Sequence, residues 1–381
     1  MGDGVQRKIL FCTLSYYPTP AGGAERQAQW QAEELVKRGH AVTVVCRRHA
    51  GTRSGFVNGV FVRRLPLIER RRFKTVSSLL ALAIYLAVRL PRFELVHVHL
   101  ANLQADVAGL ICSLYRKPTY MKVAAGGPLG EVGRMRRVAW LTRFFGLRHA
   151  TYVQALSAEI VADVGAIGVR PTRILRIPNG LKLSGMGRAT AEEKADLRAR
   201  LGLPIEALIV LYVGRFAQYK GVLDLVGVWE CEAPPPAWLL LVGSATATEK
   251  PVGELLLPGR VLARDFTSRI SDYYRAADIF VLPSHAEGMS NALLEAMASG
   301  LPCVATRVGA AEEMLGDGDS GLLVEPGRPA ELAAAIRRLT ESGELRERMG
   351  CAAARIVEQR HSIEAVVDRI EDAYDRMLRL S

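Results

Sequence analysis

Six cysteines are spread through 381 residues, and no two are spaced Cys-x-x-Cys. Cys12, Cys46, Cys112, Cys231, Cys303 and Cys351 sit mostly in apolar runs. That reads as reduced core thiols of a cytoplasmic protein, not as a disulfide or zinc framework. Aromatics are scarce, at 7%. They are thin among the cations, which argues against a nucleic-acid partner, since single strands need stacking surfaces. The seven histidines show no His-x3-His and no Glu-flanked spacing, so no metal is expected. No serine-nucleophile motif is present. Hydrophobic runs are short. The longest helical one, Thr75 to Val88, falls below the roughly 20 residues of a spanning helix. The N-terminus enters a strand almost at once, so neither a signal peptide nor a membrane span is expected.

Carboxylates are what the first half has least of. Residues 1–183 hold 28 Lys and Arg against 10 Asp and Glu, a net of +18; residues 184–381 hold 22 against 29, a net of −7. Two domains with different partners are implied, the first attracting anionic material such as phosphates or an acidic membrane surface. "ERRRFK", Glu69 to Lys74, directly precedes the Thr75–Val88 run. Two readings stand: a core helix with a basic cap, or a helix touching the inner face of a membrane peripherally.

Strand and helix signals alternate throughout, the pattern of parallel α/β sheets. "KILFCTL" is a buried strand, and the helix after it stops at Gly39. "AVTVVC", "LVHVHL", "PTYMKVA", "ATYVQAL" and "ILRIPNG" continue the series. A Gly-rich, charged linker follows, and the pattern restarts with "LIVLYVG", "WLLLVG", "ADIFVLPS", "PCVATRV" and "GLLVEPG". The tail from Pro329 is helical, with Ile363, Val366, Val367, Ile370, Tyr374 and Met377 on one face. The reading is two Rossmann-like domains, 1–183 and 184–360, facing an interdomain cleft, plus a terminal helix at 361–381. Ligands of such sheets bind outside the carboxyl ends of the strands.

Three stretches follow strands and carry chemistry. In "EGMSNALLEAMASG", Glu287 lies on a loop and Glu295 about one turn into a helix capped by Ser290 or Asn291. A helix start carries partial positive charge and suits a phosphate. Carboxylates on either side accept hydrogen bonds from sugar hydroxyls. In "VGRFAQYKG", Arg215 and Lys220 can reach one diphosphate. In "TPAGGAERQ", Gly22 and Gly23 permit close approach of backbone to a ligand, or simply make a tight turn. "DGD" at 317–319 reads as a turn before a strand.

Taken in order, "GGAERQ", "RGHAVTVV", "LVHVH", "ILRIPNG", "VGRFAQYKG", "ADIFVLPSHAEGMSNALLEAMASGLPCVAT" and "GDSGLLVEPG" resemble the retaining glycosyltransferases of family 4, which have the GT-B fold. The resemblance spans residues 22 to 327. It implies a nucleotide-diphospho-sugar donor held mainly by the second domain, with no cofactor, and a glycan or lipid-linked acceptor. Arg215 and Lys220 would then stabilise the leaving diphosphate, and Glu287 would grip the transferred sugar. Glu295 would hold the ribose. Gly288, Met289, Ser290 and Asn291 would form the phosphate seat, and Gly22 and Gly23 would close over the donor. The sequence departs from the family where a His commonly follows the "PTYMKV" strand; here Ala124 stands, with Lys122 nearby. His99 is the alternative acceptor-side group, or a satisfied histidine under a loop. The segment "GSATATEKPVGELLLPG" is shorter than usual, which implies an altered base pocket. Competing functions are a nucleotide-sugar epimerase or a phosphorylase of the same fold, and a non-catalytic sugar-nucleotide-binding protein that docks on membranes.

Overall fold

Strands that are apolar at every position need both faces covered, and parallel sheets flanked by helices provide that. The computed structural model describes residues 6–19, 22–70, 73–128, 130–135, 144–230, 235–243, 259–316 and 318–380. The chain separates into two units, Met1–Lys182 with Ile363–Ser381, and Leu183–Ser362. Cys231, Asp317 and residues 244–258 of the "GSATATEKPVGELLLPG" stretch lie outside the described residues.

In the first unit, β1 (Lys8–Cys12), β2 (Ala41–Arg47), β3 (Gly55–Val57), β4 (Val60–Leu65), β5 (Leu95–His99), β6 (Thr119–Val123), β7 (Tyr152–Ala155) and β8 (Ile174–Arg176) form one sheet. Its order is β3-β4-β2-β1-β5-β6-β7-β8, and among the described residues β3–β4 is its one antiparallel pair. In the second, β9 (Ile209–Val213), β10 (Trp238–Gly243), β11 (Val261–Asp265), β12 (Ile279–Leu282), β13 (Cys303–Thr306) and β14 (Gly321–Val324) are ordered β11-β10-β9-β12-β13-β14. Both sheets wind outward in one direction and then, from the middle, in the other. The reversal falls between β1 and β5 in the first sheet and between β9 and β12 in the second. Loops diverge there, so a crevice opens at the carboxyl ends.

The β3–β4 hairpin was not foreseen. It turns on Asn58 and Gly59, both at positive φ (49° and 81°), the two-residue turn whose twist matches the flanking strands. The linker leads to a helix, Ala191–Leu201, closed by a Thr190–Glu193 capping box and by Gly202 in the left-handed region.

The terminal helix Ile363–Arg379 belongs to the first unit. Its Ile363, Val366, Val367, Ile370, Tyr374 and Met377 are almost wholly buried, at spacings that keep them on one face. Each such burial is worth about 1.5–3 kcal/mol. Polar ties flank this face: Arg38 donates to Asp368 (2.6 Å) and to Glu371, and His40 pairs with Glu371 at 2.6 Å.

One expectation needs correcting. The apolar run around Thr75–Val88 forms helix Lys74–Arg89, and a 3-10 turn carries it to Arg92. The resulting 19 residues are long and apolar enough to cross a membrane by length and composition. Length therefore does not dispose of a span, and the packing is one-sided. Ser78, Leu82, Leu86 and Leu90 are buried against the unit, and Arg47 donates to Ser78 Oγ at 2.9 Å. The helix is thus fastened along one side to its own unit.

Candidate active site

The second sheet reverses between β9 and β12, and the two suspected loops leave its carboxyl edge there. Backbone chemistry locks them together. His285 N donates to Tyr219 O at 2.8 Å. Gly221 holds φ +66° so closely under β12's exit that an added Cβ would sit 1.9 Å from Pro283 O; only glycine fits. Gly309, at φ +58°, approaches the other side, where a Cβ would lie 2.3 Å from Gly288 O. Ala310 N donates to that carbonyl at 2.7 Å. Thr306 Oγ1 anchors the loop by donating to Ser284 O at 2.5 Å.

On this frame Lys220 Nζ meets Glu287 Oε1 at 2.5 Å, with the two side chains 17% and 10% exposed. Ser284 Oγ donates to the same oxygen at 2.9 Å. Arg215 is exposed at the loop's lip. It donates to Tyr219 OH and lies 5.7 Å from that ring's centre, while Lys220 Nζ lies 5.4 Å from it. One aromatic face thus gathers both cations. Tyr219 and Ser284 were not singled out from the sequence. Their only signals were adjacency to Lys220 and position at a strand exit.

Ser290 is the cap of helix Asn291–Ala298. Its Oγ accepts from Leu293 N at 3.4 Å, and Asn291 is the first helical residue. Met289 and Gly288 are buried beneath the turn. Amides of a first helical turn lack intrahelical acceptors and carry partial positive charge. Glu295 is 3% exposed and accepts from Tyr274 OH at 2.9 Å, so the carboxylate inside an apolar helix is a hydrogen-bonded one. The structure therefore brings Arg215, Lys220, Glu287 and the helix start onto one loop pair, with Glu295 one turn below. Such a set can neutralise a phosphate and accept hydrogen bonds from hydroxyls.

Gly22, Gly23, His99 and Lys122 belong to the first unit. Gly22 is the N-cap of helix Gly23–Lys37, and His99 ends β5, so Gly22, Gly23 and His99 flank the reversal of the first sheet, with Lys122 one strand further on β6. His99 and Lys122 are register partners on β5 and β6, each 1% exposed. His99 stacks on His97 (4.3 Å between centroids, 11°) and on Phe11. Among the described residues neither of its ring nitrogens has a hydrogen-bond partner. Burial, followed by the nearby His97 and Lys122, holds its pKa well below the usual value. Lys122 Nζ donates to Asn179 Oδ1 at 2.7 Å. Burial pushes its pKa down to about 7, against a smaller upward pull from Glu131. Glu131 is itself occupied, accepting from Ala124 N and Ala125 N. Among the described residues no group of three or more metal-ligating side chains forms.

Two family models match, Glycosyl transferase 4-like domain over residues 22–180 and Glycosyl transferases group 1 over residues 193–356. A Bacillus subtilis protein with the provisional name teichuronic acid biosynthesis glycosyltransferase TuaC is 27% identical over 87% of this chain and 88% of its own. A D-inositol 3-phosphate glycosyltransferase of Acidothermus cellulolyticus is 34% identical over 47% of this chain and 43% of its own. The structure of Anabaena Alr3699/HepE in complex with UDP-glucose aligns at TM-score 0.80 and 21% identity, over 97% of this chain and all of that one. The chain belongs to the group 1 glycosyl transferases of GT-B fold, and is a glycosyltransferase of glycan synthesis.

Proposed function

We propose that the chain transfers a sugar, with retention of anomeric configuration, from a nucleotide-diphospho-sugar to an anionic or lipid-linked acceptor. One observation carries the donor reading: Lys220 and Glu287 meet at the reversal point of the second sheet, beside the Ser290-capped helix start. Arg215, Lys220 and the helix amides take the diphosphate. Glu287 takes hydroxyls of the sugar, and Glu295 the ribose. As the bond to the anomeric carbon breaks, negative charge gathers on the diphosphate. Fixed cations aimed at that charge stabilise it without reorganising. The departing phosphate oxygen receives the acceptor's proton on the same face, so no dedicated base is needed. The two cations do this work without a divalent ion.

Support for an anionic acceptor is the +18 of residues 1–183. The relatives named above are called after teichuronic acid and inositol 3-phosphate, both acidic. His99 and Lys122, buried beneath the β5 and β6 exits, act as positioning residues on that side.

A thermal-shift screen against UDP-, GDP-, ADP- and other sugars tests the donor reading, because a ligand held by the native state raises its melting temperature. One class of sugar nucleotide should stabilise the chain and be consumed, with NMR showing the product's anomer unchanged. No shift and no turnover with any donor would refute the reading, and an inverted anomer would refute retention.

A further inference from the structure

Helix Lys74–Arg89 has two apolar faces where one would suffice. Its inner face, Ser78, Leu82 and Leu86, is buried, as is Leu90 in the turn that follows. Two residues round the helix, on the opposite side, stand Val76, Leu80, Ile84 and Val88, each between 57 and 65% exposed. A surface helix ordinarily puts polar residues there. The stripe runs the length of the helix, about 24 Å at the standard rise. It continues sideways, because the neighbouring helix Leu103–Leu114 packs alongside. Tyr115 OH donates to Ala87 O at 2.7 Å, and Leu110 and Leu114 on that neighbouring helix are exposed as well. Contiguous exposed apolar surface of this kind marks an interaction site.

Charge selects the partner. No carboxylate occurs between Glu69 and Glu94. Arg70 and Lys74 stand at one end of the stripe, Arg89, Arg92, Arg116 and Lys117 at the other. Among the described residues none of these six has a carboxylate partner. A second copy would press like charges together, since a two-fold contact sets a patch against itself. A bilayer with acidic headgroups answers both features at once. It takes the aliphatic stripe into the interface and the terminal cations onto the lipid phosphates or carboxylates.

We infer that this face, Val76–Leu80–Ile84–Val88 with Leu110 and Leu114, is a docking surface for an anionic lipid bilayer, on which the helix lies flat. Binding is read without sugar donor or acceptor, so its failure would leave the transfer reading standing, and the converse holds.

Sedimentation with vesicles tests it. The full chain should pellet with phosphatidylcholine–phosphatidylglycerol vesicles and not with phosphatidylcholine alone, and added salt should release it. Removing Arg89 and Arg92 should weaken binding about fivefold each. Leu80→Glu with Ile84→Glu should weaken it at least about tenfold, with unchanged circular dichroism. An Ile84→Trp variant supplies a gain of signal: its fluorescence should shift to the blue only on acidic vesicles. Failure of the wild type to bind acidic vesicles would overturn the inference. So would full binding by the Leu80/Ile84 double variant, an Ile84→Trp emission unmoved by lipid, or a dimer that this double variant dissolves.

Discussion

Lys220 and Lys122 stand at the carboxyl edges of two sheets of the same winding, yet their surroundings are opposite. Lys220 is answered by a carboxylate, at 2.5 Å, and keeps a path to solvent. Lys122 is answered by the amide oxygen of Asn179 and is buried. A cation held by one anion can be handed to another, so Lys220 suits a site that empties and fills. Burial penalises the charged form, and an amide does not offset it as a carboxylate would; burial is what pushes Lys122 down to about 7, against a smaller upward pull from Glu131. Position on the fold makes both candidates; the partner decides what each can do.

The largest test breaks the first half of that comparison. Lys220→Ala and Glu287→Gln should each cut turnover by about 10²–10³-fold in a transfer assay, with circular dichroism unchanged. Near wild-type rates in either variant would remove the assigned role. Next, Gly221→Ala should cost more than about 3 kcal/mol in denaturant unfolding and abolish transfer, because the Cβ has nowhere to go. An alanine tolerated there would mean the loops are not locked as described.

The third test sharpens the second half. The folded pKa of Lys122 lies below its ordinary 10.5. Between about 7 and 10.5 the unfolded chain therefore binds the extra proton. Stability should rise with pH across that window, and the penalty should be fully present below it. Lys122→Met should flatten the rise by up to about 1.4 kcal/mol per pH unit. Parallel pH profiles for variant and wild type would contradict this. Smallest, Thr190→Ala removes a capping box remote from both lysines. It should lower stability by about 1 kcal/mol and leave transfer rates alone.

The parallel strands and the amphipathic terminal helix were legible because burial on both faces, or on one, writes itself into residue spacing. The loop motifs were legible because glycine, cations and carboxylates had few other reasons to follow strands in that order. What stayed hidden depends on folded geometry that spacing alone does not state. Tyr219 gathers Arg215 and Lys220 only once its loop is folded, and Tyr274 satisfies Glu295 from a separate helix. The fate of His99 hung on Phe11 and His97 stacking against it. The Asn58–Gly59 hairpin rests on a local signal, two adjacent residues that tolerate positive φ. The outward stripe of helix Lys74–Arg89 could not be separated from its core stripe by periodicity, since both faces are apolar.

Calorimetric titration of the stabilising donor's nucleoside diphosphate into wild type, Lys220→Ala and Glu287→Gln addresses the central claim most directly. If Lys220 trades Glu287 for the diphosphate, Lys220→Ala should bind at least about tenfold more weakly. Glu287→Gln, freed of a competing carboxylate, should bind as well as wild type or better. Equal affinity in all three proteins would contradict the account.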